Sequence, residues 1–106
     1  MSKVQYKGYV AENFVATEFI AKGVVNLISW QQSRAEIEFL YCLDDKIIPI
    51  EVKSGWVTRS QSLKTYVEKY HPAFRATFSA RSLRLDQDNR NHNYPVYMVH
   101  WFPLTE

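Results

Sequence analysis

Two apolar stretches a few residues apart, EIEFLYC (Glu36 to Cys42) and IIPIEVK (Ile47 to Lys53), constrain this chain more than any other feature. The first alternates with a period of two. Ile37, Phe39 and Tyr41 face one way, and Glu36, Glu38, Leu40 and Cys42 face the other. The residues between the stretches, LDDK, suit a tight connection. Two strands this close form an antiparallel hairpin. Pro49 cannot donate to a strand ladder, so it belongs where its missing N–H is not needed. If Cys42 opposes Ile47, the register sets Glu38 against Glu51, with Lys53 on the same face.

Like charges placed opposite one another are unfavourable unless something offsets them. A divalent cation is one such offset. Mg²⁺, or Mn²⁺ in its place, takes hard oxygen ligands and often only one or two carboxylates. Glu38 and Glu51 are the expected ligands, and Glu12 from an upstream helix adds a third carboxylate. Lys53 points at the same place, where it would stabilise phosphate charge or position a water. Such a set suits phosphodiester hydrolysis. The plainer reading stays open: a wet hairpin face whose Glu51–Lys53 ion pair contributes little.

The remaining segments fall around this hairpin. Gly8 to Lys22 reads as a helix with a broad apolar surface, and Gly23 suits a left-handed C-cap. Val24 to Trp30 reads as a strand and Gln31 to Arg34 as a turn. Ser60 or Ser62 caps a second helix that runs to Tyr70 and stops before Pro72. Phe74 to Ser79 resembles a strand. Arg81 to Tyr94 is rich in Asp, Asn and Gln and reads as a loop. Val96 to Phe102 reads as a closing aromatic strand between Pro95 and Pro103.

The 106 residues allow one domain. Cys42 is the only cysteine, which excludes an internal disulfide and a cysteine-based zinc site. It is expected to be a buried thiol. His71, His92 and His100 lack metal-ligand spacing, and His100 reads as a packed histidine of the last strand. No apolar run approaches a membrane span and the N-terminus lacks a secretion signal, so the expected location is cytoplasmic. The net charge is only +2, but the first half is acidic and the chain turns basic from Lys53 onward. Arg59, Lys64, Lys69 and Arg75 are the expected contacts to a DNA backbone, with a solvated helix surface as the alternative. Trp56 reads as packing over its loop, or as a base-stacking residue.

The segments GYVAENFVATEFIAKG, AEIEFL, KIIPIEVKSG, SLKTYVEKY and NYPVYMVHWF together resemble the DUF4143 family, the C-terminal domain of bacterial and archaeal AAA-type ATPases. That domain is similar to the PD-(D/E)xK nucleases. The resemblance implies an α/β restriction-endonuclease-like fold, a central mixed β-sheet flanked by helices, as one domain over residues 1–106. It places the family's first-helix glutamate on Glu12, its aspartate on Glu38 and its Glu-x-Lys pair on Glu51 and Lys53. Glu38 departs from the family pattern EIDFL. It keeps the charge but moves the oxygens out by one methylene, which weakens a site that needs close placement. No GxxxxGK[ST] loop is present, so a partner ATPase domain would lie outside this chain. Whether the chain is a fragment of a larger ATPase or a stand-alone copy stays open. The expected function is a metal-dependent phosphodiester hydrolase or nuclease-like DNA-binding domain with weak or lost activity. The alternative is a non-catalytic module that docks an ATPase domain, DNA or a second copy of itself.

Overall fold

The computed structural model describes residues 3–24, 27–55, 60–86 and 90–104. Helix α1 (Lys3–Ala21) is followed by three strands, β1 (Ile28–Gln32), β2 (Ala35–Leu43) and β3 (Lys46–Val52). Helix α2 (Gln61–Tyr70) leads to β4 (Arg75–Ser79), β5 (Arg84–Asp86) and β6 (Asn91–Pro95), and a 3-10 segment (Val96–Trp101) follows. The strands form one six-stranded sheet in the order β1-β2-β3-β4-β6-β5. Its β1-β2-β3 half is antiparallel, β3-β4 and β4-β6 are parallel, and β5 runs antiparallel to β6. The α2 crossover is what lets β3 and β4 lie parallel. The mixed sheet flanked by helices that the sequence suggests is present.

Local chemistry sets most of these boundaries. Gly23 sits at φ +97° and closes α1: its N–H bonds Ile20 O at 3.0 Å, and Val24 N–H bonds Phe19 O at 2.9 Å. That pair of bonds is a Schellman cap, which an L side chain at Gly23 would strain. The cap draws Val24 into the helix end, so β1 starts later than its apolar run suggests. The β2–β3 turn is the two residues Asp44 and Asp45, with Asp44 at φ +55°. Cys42 pairs with Ile47, the expected register. Pro49 pairs with Leu40 and lies one residue before the β4 ladder begins at Ile50. Ser60 caps α2 by accepting Leu63 N–H at 3.0 Å, and His71 at φ +49° ends it with its own N–H on Val67 O.

Two expectations are corrected. The segment read as a loop, Arg81 to Tyr94, holds β5 and β6. In β6 the buried face is His92 and Tyr94, while Asn91 and Asn93 point the other way. A polar residue at one buried position hides the period of two from a reading by hydrophobicity. The segment Val96 to Phe102 is not a strand but a 3-10 segment, Val96–Trp101, capped by the extended Phe102. Its fully buried residues, Val99 and Phe102, are three apart, the 3-10 repeat. Accordingly His100 is exposed, edge-on to Trp101, rather than packed in a strand.

Helices cover both faces of the sheet. On one face Val15 and Phe19 of α1 join Ile48, Ile50, Val52, Ala76, Phe78 and Tyr94 of the sheet with Val99 and Phe102. On the other, Leu63 and Tyr66 of α2 pack with Ile37, flanked by Trp30 and Leu40. Phe19 is fully buried, its ring centroid 5.6 to 6.3 Å from those of Phe39, Tyr41, Phe78 and Phe102. Lys22 ties α1 to the closing segment by donating to the Val99 and Phe102 carbonyls. Removing the Phe19 ring leaves a cavity between α1 and the sheet. Phe19→Ala is expected to lower unfolding free energy by about 3–5 kcal/mol, read from urea denaturation midpoints at unchanged m-value.

Candidate functional site

The parity of β3 fixes half of the site. Ile48, Ile50 and Val52 enter the α1 core, so Glu51 and Lys53 fall on the opposite face. Glu51 is only 6% exposed. Its Oε2 accepts from Ser60 Oγ at 3.2 Å and lies 3.7 Å from Lys53 Nζ. The same Ser60 hydroxyl oxygen accepts from Leu63 N–H, so the start of α2 and the Glu51 carboxylate share one anchor. Lys53 is pinned through its own N–H, which bonds Phe78 O at 2.8 Å. Burial pushes the Glu51 carboxyl above the usual range; Lys53 and Ser60 pull it back, and the Glu12 charge pushes it up again.

The other half depends on a bulge. Ile28 pairs with Leu40 but Trp30 pairs with Ile37, so Ser29 of β1 faces both Phe39 and Glu38 of β2. The ladder to β3 stops at Phe39–Ile50, which leaves Glu38 one step beyond it. The register extrapolates Glu38 toward Glu51, whose charge acts on it, and the bulge lies at this residue. Glu38 shares a side-chain hydrogen bond with Glu12 of α1. The bulge also corrects the facing of β2: Ile37 packs with Leu40 in the α2 cluster, while Phe39 and Tyr41 pack in the α1 cluster.

Glu38 is pushed up to about 9. Burial is the main cause, followed by the hydrogen bond with Glu12 and the charges of Glu12, Glu51 and Glu36. At neutral pH Glu38 is therefore a carboxylic acid whose O–H donates to Glu12. The structure thus brings Glu12 to Glu38, and Glu51 to Lys53 and Ser60, and the Glu12 charge acts on both carboxyls. Among the described residues no group of three or more His, Cys, Asp or Glu side chains is arranged to hold a metal ion. The donor set that does meet is a pair of hard carboxylates sharing a proton. That chemistry fits Mg²⁺ or Mn²⁺, because a cation can replace the proton between two like charges.

The expected backbone contacts divide. Lys64 and Arg75 line one groove together with Ser60. Lys69 lies elsewhere, its Nζ donating to Gln32 Oε1 at 2.6 Å. Arg59 and Trp56 lie outside the described residues. Cys42 is exposed, not buried, because the Glu38 face of β2 is uncovered at that end. Ser60 was legible as a helix cap, but its bond to Glu51 was not, since nine residues of chain separate the two. Among the described residues no helix is long and apolar enough to cross a membrane.

The fold and these residues define a mixed α/β domain with a proton-sharing carboxylate pair beside a buried Glu51 paired with the half-buried Lys53. The family model for a domain of unknown function, DUF4143, matches residues 7–99, and the chain belongs to that family. No curated protein and no solved structure matches the chain.

Because the folded state holds Glu38 protonated, its contribution is fully present below the unfolded value of about 4.5 and is lost as pH rises through about 9. The upward shift of Glu51 acts in the same direction. The metal-free melting temperature is expected to fall across that window, and Glu38→Gln to flatten the fall, in thermal melts followed by circular dichroism. Ser60→Ala removes the α2 cap and the Glu51 donor together. A loss of about 1–2 kcal/mol is expected, measured by chemical denaturation.

Proposed function

We propose that this domain is a nuclease-like, metal-dependent phosphodiester hydrolase on a restriction-endonuclease-like sheet, with weak activity in isolation. The observation that carries the reading is the Glu12–Glu38 contact, coupled in charge to Glu51 beside Lys53. The succession α1-β1-β2-β3-α2-β4, an antiparallel meander followed by a parallel crossover, supports the fold assignment. So does membership in DUF4143, whose match over residues 7–99 takes in Glu51 and Lys53. Fold alone does not carry function, and the weight rests on the site.

Glu12 and Glu38 would hold the cation, with Glu51 adjoining. When bound, a divalent cation lowers the pKa of a water and neutralises developing phosphate charge. The protein's own residues do the rest. Lys53, held by its N–H on β4, presents its ammonium to a phosphate oxygen or to the attacking water. Ser60 keeps the Glu51 carboxylate oriented toward Lys53. Weak activity follows from Glu38, whose extra methylene and bulged backbone set its carboxyl in a hydrogen bond with Glu12.

A second reading, a non-catalytic module that docks an ATPase domain, DNA or a second copy of this chain, is favoured by one observation. Val10 and Phe14 of α1 and Tyr97 line an open apolar depression, and Tyr97 is 72% exposed. Calorimetric titration with Mg²⁺ and Mn²⁺ separates the two. Binding is expected to release protons, to tighten as pH rises and to be lost in Glu38→Gln, because the cation displaces the proton that Glu38 and Glu12 share. Cleavage of supercoiled plasmid by the metal-loaded protein is expected to be slow and absent in Lys53→Ala. No heat at millimolar metal, unchanged in Glu51→Gln, would remove the hydrolase reading and leave the docking module.

A further inference from the structure

We infer that the half of the sheet left beside α2 is a binding trough for a nucleic-acid phosphodiester backbone, running from the Glu51–Lys53 site across β4, β6 and β5. The inference rests on the nucleic-acid reading of that site and assigns its substrate track. The cross-strand register builds it. Glu51 pairs with Thr77, Thr77 with Asn93, and Asn93 with Arg84, so one polar row crosses four strands. Two residues earlier, a parallel row runs Arg75–Asn91–Asp86. Both rows lie on the face away from the α1 core, because Ala76, Phe78 and Tyr94 alternate with them into that core.

Two adjoining cavities, of about 530 and 520 Å³, follow these rows and meet at Asn91. The one nearer the carboxylates runs from Ser60 and Lys64 to Arg75, and the farther one holds Arg84. Among the described residues they are lined by four basic side chains and two acidic ones, Glu68 and Asp86. Among the described residues no aromatic side chain lines either cavity. Guanidinium, ammonium, amide and hydroxyl groups, set among the aliphatic Leu63, Val67 and Leu83, fit phosphate and sugar rather than stacked bases. The wall is built: Asn93 accepts from Ser79 Oγ at 2.7 Å and donates to the Arg81 and Ser82 carbonyls. Arg84 is 77% exposed in its side chain, and its 3.8 Å pair with Asp86 is a surface pair that a phosphate readily replaces.

The test is fluorescence anisotropy of a short fluorescein-labelled oligodeoxynucleotide, titrated with the full chain in EDTA over a salt series. EDTA separates the track from hydrolysis: binding without any later metal-dependent cleavage would fail the hydrolase reading and leave the trough standing. Binding is expected, with log affinity falling linearly in log salt. Arg84→Gln and Lys64→Gln should each weaken it roughly three- to tenfold and lower the slope by about 0.9. Glu68→Gln should tighten it, and thermal melts should show these surface variants folded. No binding at low salt, or binding whose affinity and slope are unmoved by Arg84→Gln and Lys64→Gln in folded protein, would overturn the trough. Equally tight binding of heparin, with the same response to the variants, would also overturn it in favour of a general polyanion surface.

Discussion

Strand β3 is the element on which everything else depends. It is central, paired antiparallel to β2 and parallel to β4. Its period of two sends Ile48, Ile50 and Val52 into the α1 core and Glu51 and Lys53 to the opposite face. A one-residue slip would bury both charges among the aromatic rings around Phe19 and strip the core of three aliphatic side chains. The register is therefore held by hydrophobic burial on one face, and the polar site on the other face follows from it. The Asp44–Asp45 turn gives the same register from local geometry, so turn and core agree.

A carboxylate in a central strand must be compensated. Glu51 is compensated twice, by the Ser60 hydroxyl and by the Lys53 ammonium. Glu38 is compensated differently, by keeping its proton and donating it in a hydrogen bond to Glu12. Burial pushes both carboxyls upward, and they meet it with different partners, an ion pair and a hydroxyl donor for Glu51 and a shared proton for Glu38. Neighbouring carboxyls raised by burial and by one another's charge recur at functional sites. The choice of partners also ties the site to the fold: Ser60 starts α2, and Glu12 belongs to α1, the helix that packs the core. Loosening either helix would disturb the electrostatics of the site.

Local signals were well marked in the chain. The Gly23 cap, the Ser60 cap, the short β2–β3 turn and the Cys42–Ile47 register are all carried by neighbours within a few residues, and each is found in place. The second half was harder to read. Strand β6 buries His92 where an apolar residue would have marked the period, and the closing segment repeats every three residues rather than every two. In both, the burial pattern is regular but the residue types obscure it.

The sequence by itself determined which strands pair in the hairpin, where both helices end, and that Glu12, Glu38, Glu51 and Lys53 belong to one region. Only the tertiary structure decided how they meet. The bulge at Glu38 and Phe39 exists because β1 and β2 pair with unequal residue counts, a relation between two strands that neither states alone. The Ser60–Glu51 bond, the Glu12–Glu38 proton and the polar rows from Glu51 to Arg84 likewise join residues from different elements. Periodicity and capping are local and leave a mark in the chain. Which charge finds which partner is set by packing, because burial decides how strongly each carboxyl needs one.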